Sequence, residues 1–588
     1  MRFLIAGVLG LFALVGLTLG IGDRTLWAPP KQQVLTSQIA AESPFVLVPP
    51  SIVGAHPGQP RATVKAVLAE GGDPASVEQV FVSYGRYADL KAWLEKAQYA
   101  EVKLAEAGAK DPIAIDRNNI GLAGPDPAGS DLWYGEDADS LKVSLDMKTL
   151  ADTAMLISTK STSPTPVELQ LVWPVVHDLT FSNWMIWLGS GFGALALAAL
   201  IWAFRHKRVM RGPRRRITKP PKGPKIRVKR NKDLAPKRGR RAARRWGKVV
   251  ATPLVFSLVF ATAGCAGASS TQTGLPQQSG GSASPSASES PAPQAPAALT
   301  KVQFERILTD VSEVAKNADK GNNKKILEER FAGPALQMRS VQYVLRKKNQ
   351  NVEAPAAIAA KPITFALPAA TDAWPRIAMA VTDAPGDALP QMLVLQQEDP
   401  RSNYKVWYVS SLLPGVKIPA VATADVGAIP VERDSVFIKL PPNQLATAFG
   451  DILNKGRASL SAPLFDLDNQ FYQQLSTSQK NQIEALTQAT VTFKHSLGNP
   501  NTMALATADT GALVAVFMND VYTVKPRVRS SAVAVEGLEK LLLGSGGSTT
   551  GVQTVYGDML FFYVPPVSSK KTIELLGVTQ GLLSIRKL

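Results

Sequence analysis

Residues 205–248 hold 21 of the chain's 65 Lys and Arg but only one of its 47 acids, Asp233. A segment with a net charge of +20 resists transfer through hydrocarbon, and anionic lipid heads attract it by roughly 1 kcal/mol per base. The rest of the 588 residues carries 44 bases against 46 acids, so the formal +18 belongs to this stretch and not to the folded parts. Apolar runs bracket it. Residues 184–204 precede it, with Trp184 and Trp187 at one end and Trp202 near the other, an aromatic belt beside a positive flank. Sixteen uncharged residues, 249–264, follow it. At the N-terminus, residues 3–22 form an uncharged run of 20, long enough to cross a core of about 30 Å at about 1.5 Å per residue. That run exceeds the roughly 7 to 15 apolar residues of a signal-peptide core, so an uncleaved anchor is expected.

These features set an expected topology. With the basic stretch in the cytosol, the positive-inside rule puts 1–22 and 184–204 across the membrane and residues 23–180 outside, together with everything after 265. Gly189 and Gly193 have the small-xxx-small spacing of close helix pairs, but glycine is common in membrane helices and no packing role is expected of them.

The third apolar run has the layout of a secretory signal: a basic region, KRGRRAARRWGK, then apolar residues, then small residues before Cys265. Ala261-Thr262-Ala263-Gly264-Cys265 resembles the lipobox of bacterial lipoproteins, over about 20 residues, with threonine where leucine is more usual. The resemblance implies diacylglycerol on the thiol of Cys265 and a chain cut before it. The competing expectation is an uncleaved third membrane helix over 249–268. Residues 269–298 contain eight Ser, five Pro, no aromatic and one charge, too little apolar surface to fold, and are expected to form a disordered linker. Such a spacer after the cysteine is common in the lipoproteins this region resembles, and the Ala, Pro and Arg usage is similar to that of actinobacterial examples.

At roughly 100 to 200 residues per domain, the chain has room for three to five units. The expected fold class is a multi-domain membrane protein with two to three membrane or signal helices, a β-rich ectodomain and two C-terminal α+β units with antiparallel sheets. In 23–180, strand-like runs near 45–48, 77–84 and 167–173, and period-two apolar residues over 141–147, alternate with turn signals. One helix is expected over 87–98, with Leu90, Trp93 and Leu94 on one face and Asp89 in the first turn. Beyond 299, Thr300 and Gln303 have capping-box spacing, and Phe304, Ile307, Leu308 and Val311 follow at helical intervals. Helices and then strands occur over 299–420, and again over 421–588. Ile363-Thr-Phe365 and Val491-Thr-Phe493 sit at matching places, which suggests a duplication with a spacing of about 130 residues. This element order is similar to the cone-shaped folds of the nuclear transport factor 2 kind, a likeness of order without a motif.

Little chemistry is legible. A single cysteine excludes an intrachain disulfide framework, and four histidines (56, 177, 206 and 495) leave little for His-rich metal or triad sites. No P-loop, His-Glu-x-x-His, Gly-x-Ser-x-Gly or dinucleotide signature occurs. The basic stretch has no aromatic residue between His206 and Arg245 to stack a base and is broken by five prolines, so no nucleic-acid partner is expected. Asp126, Asp131, Glu136, Asp137 and Asp139 lack EF-hand spacing and are expected in a solvated loop. Asp466 and Asp468 are expected to cap the helix that follows them. The expectation is therefore a non-catalytic accessory or binding protein of a bacterial cell envelope. Cys265 is its lipidation site, the membrane and an envelope protein are its partners, and no cofactor or metal is expected. The alternatives are an extracytoplasmic hydrolase acting on cell-wall glycan or lipid through carboxylates, and a signalling or gating component that uses the basic loop.

Overall fold

The computed structural model describes residues 1–40, 42–68, 77–106, 111–119, 121–148, 150, 152–161, 165–175, 178–209, 297–369, 371–383, 388–424, 426–528 and 530–588. Most of the basic stretch, the run 249–268, Cys265 and nearly all of the linker lie outside the described residues, as does His177.

The first element, α1 (Arg2–Thr25), is one of two described helices whose length and composition suit a membrane span. The chain then enters a β-rich lobe: β1 (Gln32–Ile39), β2 (Phe45–Val48), α2 (Pro50–Val53), β3 (Arg61–Ala66), β4 (Val77–Arg86), α3 (Tyr87–Leu94), β5 (Tyr99–Leu104), β6 (Ile113–Asn119), β7 (Trp133–Asp139), β8 (Lys142–Asp146), β9 (Thr153–Ser161) and β10 (Val167–Pro174). They form a four-stranded sheet, β1-β10-β3-β8, and a six-stranded one, β6-β5-β2-β9-β4-β7. The run FVLV explains the layering. Val46 and Val48 join a core shared by both sheets, whereas Phe45 and Leu47 point to the opposite face and pack with Trp93 and Leu94 of α3. A strand covered on both faces reads as a continuous apolar run without alternation.

The second long apolar helix, α4 (Thr180–Val209), runs antiparallel to α1. Phe3 meets Phe204 edge-on at 5.5 Å, and Phe12 lies 5.7 Å from Phe192. Here the expectation for Gly189 is corrected. A Cβ on Gly189 would stand 2.7 Å from the backbone nitrogen of Leu17, and one on Gly16 would stand 2.9 Å from Cα of Gly189. The two backbones touch at these glycines, which is the close approach that small-xxx-small spacing allows.

The C-terminal lobe opens with α5 (Lys301–Gly321), α6 (Lys324–Leu327) and α7 (Gly333–Lys348), followed by β11 (Pro362–Ala366), β12 (Arg376–Thr382), β13 (Gln391–Gln397) and β14 (Lys405–Leu412). Thr300 and Gln303 form the expected capping box. There follow α8 (Pro442–Lys455), α9 (Gln470–Ala485), β15 (Ala489–Ala506), β16 (Ala512–Pro526), the two-residue β17 (Val533–Ala534), α10 (Gly537–Leu543), the two-residue β18 (Gly547–Ser548), β19 (Val552–Val564) and β20 (Glu574–Lys587).

The division expected at 420/421 falls inside one sheet. Its order is β11-β12-β13-β14-β20-β19-β16-β15, antiparallel throughout, with β14 paired to β20 at Ser411–Val578 and Leu412–Gly577. One buried cluster also spans the boundary. Phe304 and Ile307 of α5 share it with Leu393 and Leu395 of β13 and with Leu513, Ala515 and Phe517 of β16. The alternate residues of β16, Val514, Val516 and Met518, pack on the other face with Leu445 and Phe449 of α8. The two matching Thr-Phe segments lie in β11 and β15, the opposite edges of the sheet.

Candidate functional site

Among the described residues, two clusters of buried polar side chains are candidates for function. The first is the seam between the β-rich lobe and the C-terminal lobe. Asp89 follows from the turn that starts α3 and was expected to be only a first-turn acid. It is instead buried against Arg376 at the start of β12, whose guanidinium donates to both carboxylate oxygens at 2.7 and 3.1 Å. Arg376 also stacks on Trp374, 3.9 Å from guanidinium carbon to ring centroid, and Trp374 packs with Trp93 and Trp133. Arg86 reaches the other way, donating to the carbonyl of Thr371 at 2.8 Å and to Asp372.

Asp131 forms the second anchor of the seam and departs from the expected solvated loop. It is 2 % exposed and accepts from Arg330 at 2.6 Å and from the backbone N–H of Tyr404 at 2.7 Å. Burial raises its carboxyl above the ordinary range, opposed by Arg330. Its neighbours behave otherwise. Glu136, Asp137 and Asp139 belong to β7, and Asp126 caps the backbone of Ala128. Gln303 is both a capping-box residue and a seam residue, since its amide donates to the carbonyls of Asp131 and Leu132 at 3.1 and 3.0 Å. Arg306 donates to the carbonyl of Trp133, and Arg401 donates to that of Trp93 while lying over its ring. The seam thus sets arginines of the C-terminal lobe against acids, carbonyls and a tryptophan face of the β-rich lobe, the planar recognition at which arginine excels.

The second place lies in the sheet. His495, Asp520 and Asp558 stand on β15, β16 and β19, on the face that α8 and α9 cover. His495 is held by Asn454 at the end of α8, which accepts from its N–H and donates to its carbonyl. The ring Nε2 lies 3.0 Å from the amide of Gln479 in α9, and Nδ1 lies 3.6 Å from Asp520 Oδ1. Nδ1, that Asp520 oxygen and both oxygens of Asp558 are buried without hydrogen-bond partners. Burial lowers His495 to about 4 and raises Asp520 to about 6. Burial, and then the charge of Asp520, raise Asp558 to about 7, against a weaker opposing effect of Gln580 across the ladder. Near neutral pH the trio holds a neutral imidazole and a partly protonated acid, the states a low-dielectric setting favours.

On the same sheet face, farther along the strands, is a cleft of about 570 Å³. Tyr522, Val524, Val552 and Ile585 are among its apolar lining, residues 485–489 and 531–536 flank it, and Glu536 and Glu539 add carboxylates. Tyr556, two residues from Asp558, donates to Glu539. The remaining sequence candidates take structural roles. His56 stacks edge-on against Trp173, and Asp466 caps the N–H of Asp468, while Asn469 rather than either acid caps α9. Among the described residues, no group of three or more His, Cys, Asp or Glu is arranged to hold a metal ion.

Residues 295–586 match a family model described as a domain of unknown function, DUF8094. The match spans nearly all of the C-terminal lobe and none of the β-rich one. Neither a curated protein nor a solved structure matches the chain.

Proposed function

We propose that this protein is a non-catalytic, membrane-anchored accessory or binding protein of a bacterial cell envelope, with both lobes on the extracytoplasmic side. The observation that carries this reading is the seam. The buried ion pairs of Asp89 and Asp131 fasten a DUF8094-matched lobe to a lobe whose chain continues at either end into a long apolar helix. The cationic stretch after α4 supports a cytosolic loop between the two lobes. Lipidation of Cys265 gives the C-terminal lobe its own anchor. Mass spectrometry of membrane fractions tests it: a C-terminal polypeptide that begins at Cys265 with a diacylglycerol thioether supports the reading, and an intact chain with a free thiol refutes processing.

A further inference from the structure

We infer that the face of the β-rich lobe built around Asp89, Trp93 and Asp131 is a docking surface for the C-terminal lobe as a separate polypeptide, so that the two lobes stay one complex when the chain between them is cut.

Three observations support this. Among the described residues the seam is held by non-covalent contacts between residues far from the connecting segment, among them Arg376 on Asp89, Arg330 and Tyr404 on Asp131, and Arg401 on Trp93. The two surfaces are complementary in charge. Buried acids and carbonyls on one side meet guanidinium groups on the other, and Trp374 of the C-terminal lobe enters the cluster of Trp93 and Trp133. Such a centre, with an aromatic anchor and desolvated arginine pairs, has the anatomy of a protein interface hot spot. Finally, the family match, 295–586, covers nearly all of the docked lobe and none of the β-rich one, so the lobe is a unit of sequence. The inference rests on the proposed cut before Cys265 for its natural occasion. The experiment cuts elsewhere, so the two can fail separately.

A site-specific protease sequence is inserted between Gly280 and Gly281 of the full-length protein, downstream of Cys265 and of every apolar run, so that the released fragment carries no anchor of its own. Membranes are cut and pelleted. The expected result is that at least nine-tenths of the C-terminal fragment stays in the pellet through high-salt washing. Release of the wild-type fragment into the supernatant overturns the inference. The double variant Asp89→Ala, Asp131→Ala is expected to release the fragment at least tenfold more, and full retention by that variant also overturns it. Arg401→Ala, a change at the exposed margin, serves where the double variant fails to accumulate. It is expected to speed release severalfold while the fragment itself stays resistant to trypsin, and unchanged release counts against the interface.

Discussion

At Asp558 burial and charge conflict. Its carboxyl is fully buried, with a weak counterweight from Gln580, and burial and then the charge of Asp520 raise it from about 3.8 to about 7. The folded state therefore binds a proton that the unfolded state has given up. The stability this confers is complete below about 3.8 and is lost as pH rises through about 7, at about 1.4 kcal/mol per pH unit between those limits. His495 acts in the opposite sense. Its lowered value of about 4 gives stability that is present above about 6.5 and lost as pH falls through 4. Asp520, raised to about 6, adds a loss of stability as pH rises from about 3.8 through about 6. Asp558→Asn keeps the shape and removes the buried charge. Thermal unfolding of the solubilised protein is expected to show the variant more stable than wild type at pH 8 by roughly 1 to 3 kcal/mol, with a flatter slope between pH 5 and 7. A variant less stable at pH 8 would contradict this account of the site.

At the scale of elements, Gly189 permits the contact of α1 with α4. Gly189→Leu is expected to push the two backbones apart, because even a Cβ there stands 2.7 Å from Leu17. In a Cys265→Ser background, cysteines placed at Phe12 and Phe192 should form a disulfide readily, and the leucine change should reduce its yield severalfold. Thr300→Ala removes the capping-box acceptor of α5 and is expected to cost about 1 kcal/mol. That cap was legible because its partners lie three residues apart and the apolar helical stripe begins at once. The continuous run FVLV and the alternation in 141–147 were equally plain. What escaped was set at long range. β20 carries Gly577 and Gly581 within a run lacking strict alternation, and only its pairing with β14 and β19 makes it a strand. The buried roles of Asp89 and Asp131 depend on arginines nearly 200 or more residues away, a separation no local pattern reports. Asp520 and Asp558 lie within strands whose facing residues are fixed only once the sheet has formed.

For the whole molecule, the seam decides how the parts act together. Asp89→Ala leaves the guanidinium of Arg376 desolvated and without its carboxylate, a loss expected to cost about 3 to 5 kcal/mol in thermal unfolding. Replacing both partners, Asp89→Met with Arg376→Met, is expected to recover most of that loss, because an apolar pair leaves no charge stranded. Equal damage from the single and double changes would mean that the ion pair is not what couples the lobes. Envelope placement sits above these details and rests on the cationic stretch staying in the cytosol. It is tested most directly with single cysteines at Ser140, Arg230 or Ser476 in a Cys265→Ser background, probed in intact cells with a membrane-impermeant maleimide. Ser140 and Ser476 are exposed on the two lobes. The account predicts labelling at 140 and 476 in intact cells and at 230 only after lysis. Labelling at 230 in intact cells, or protection of 476 until lysis, would contradict it.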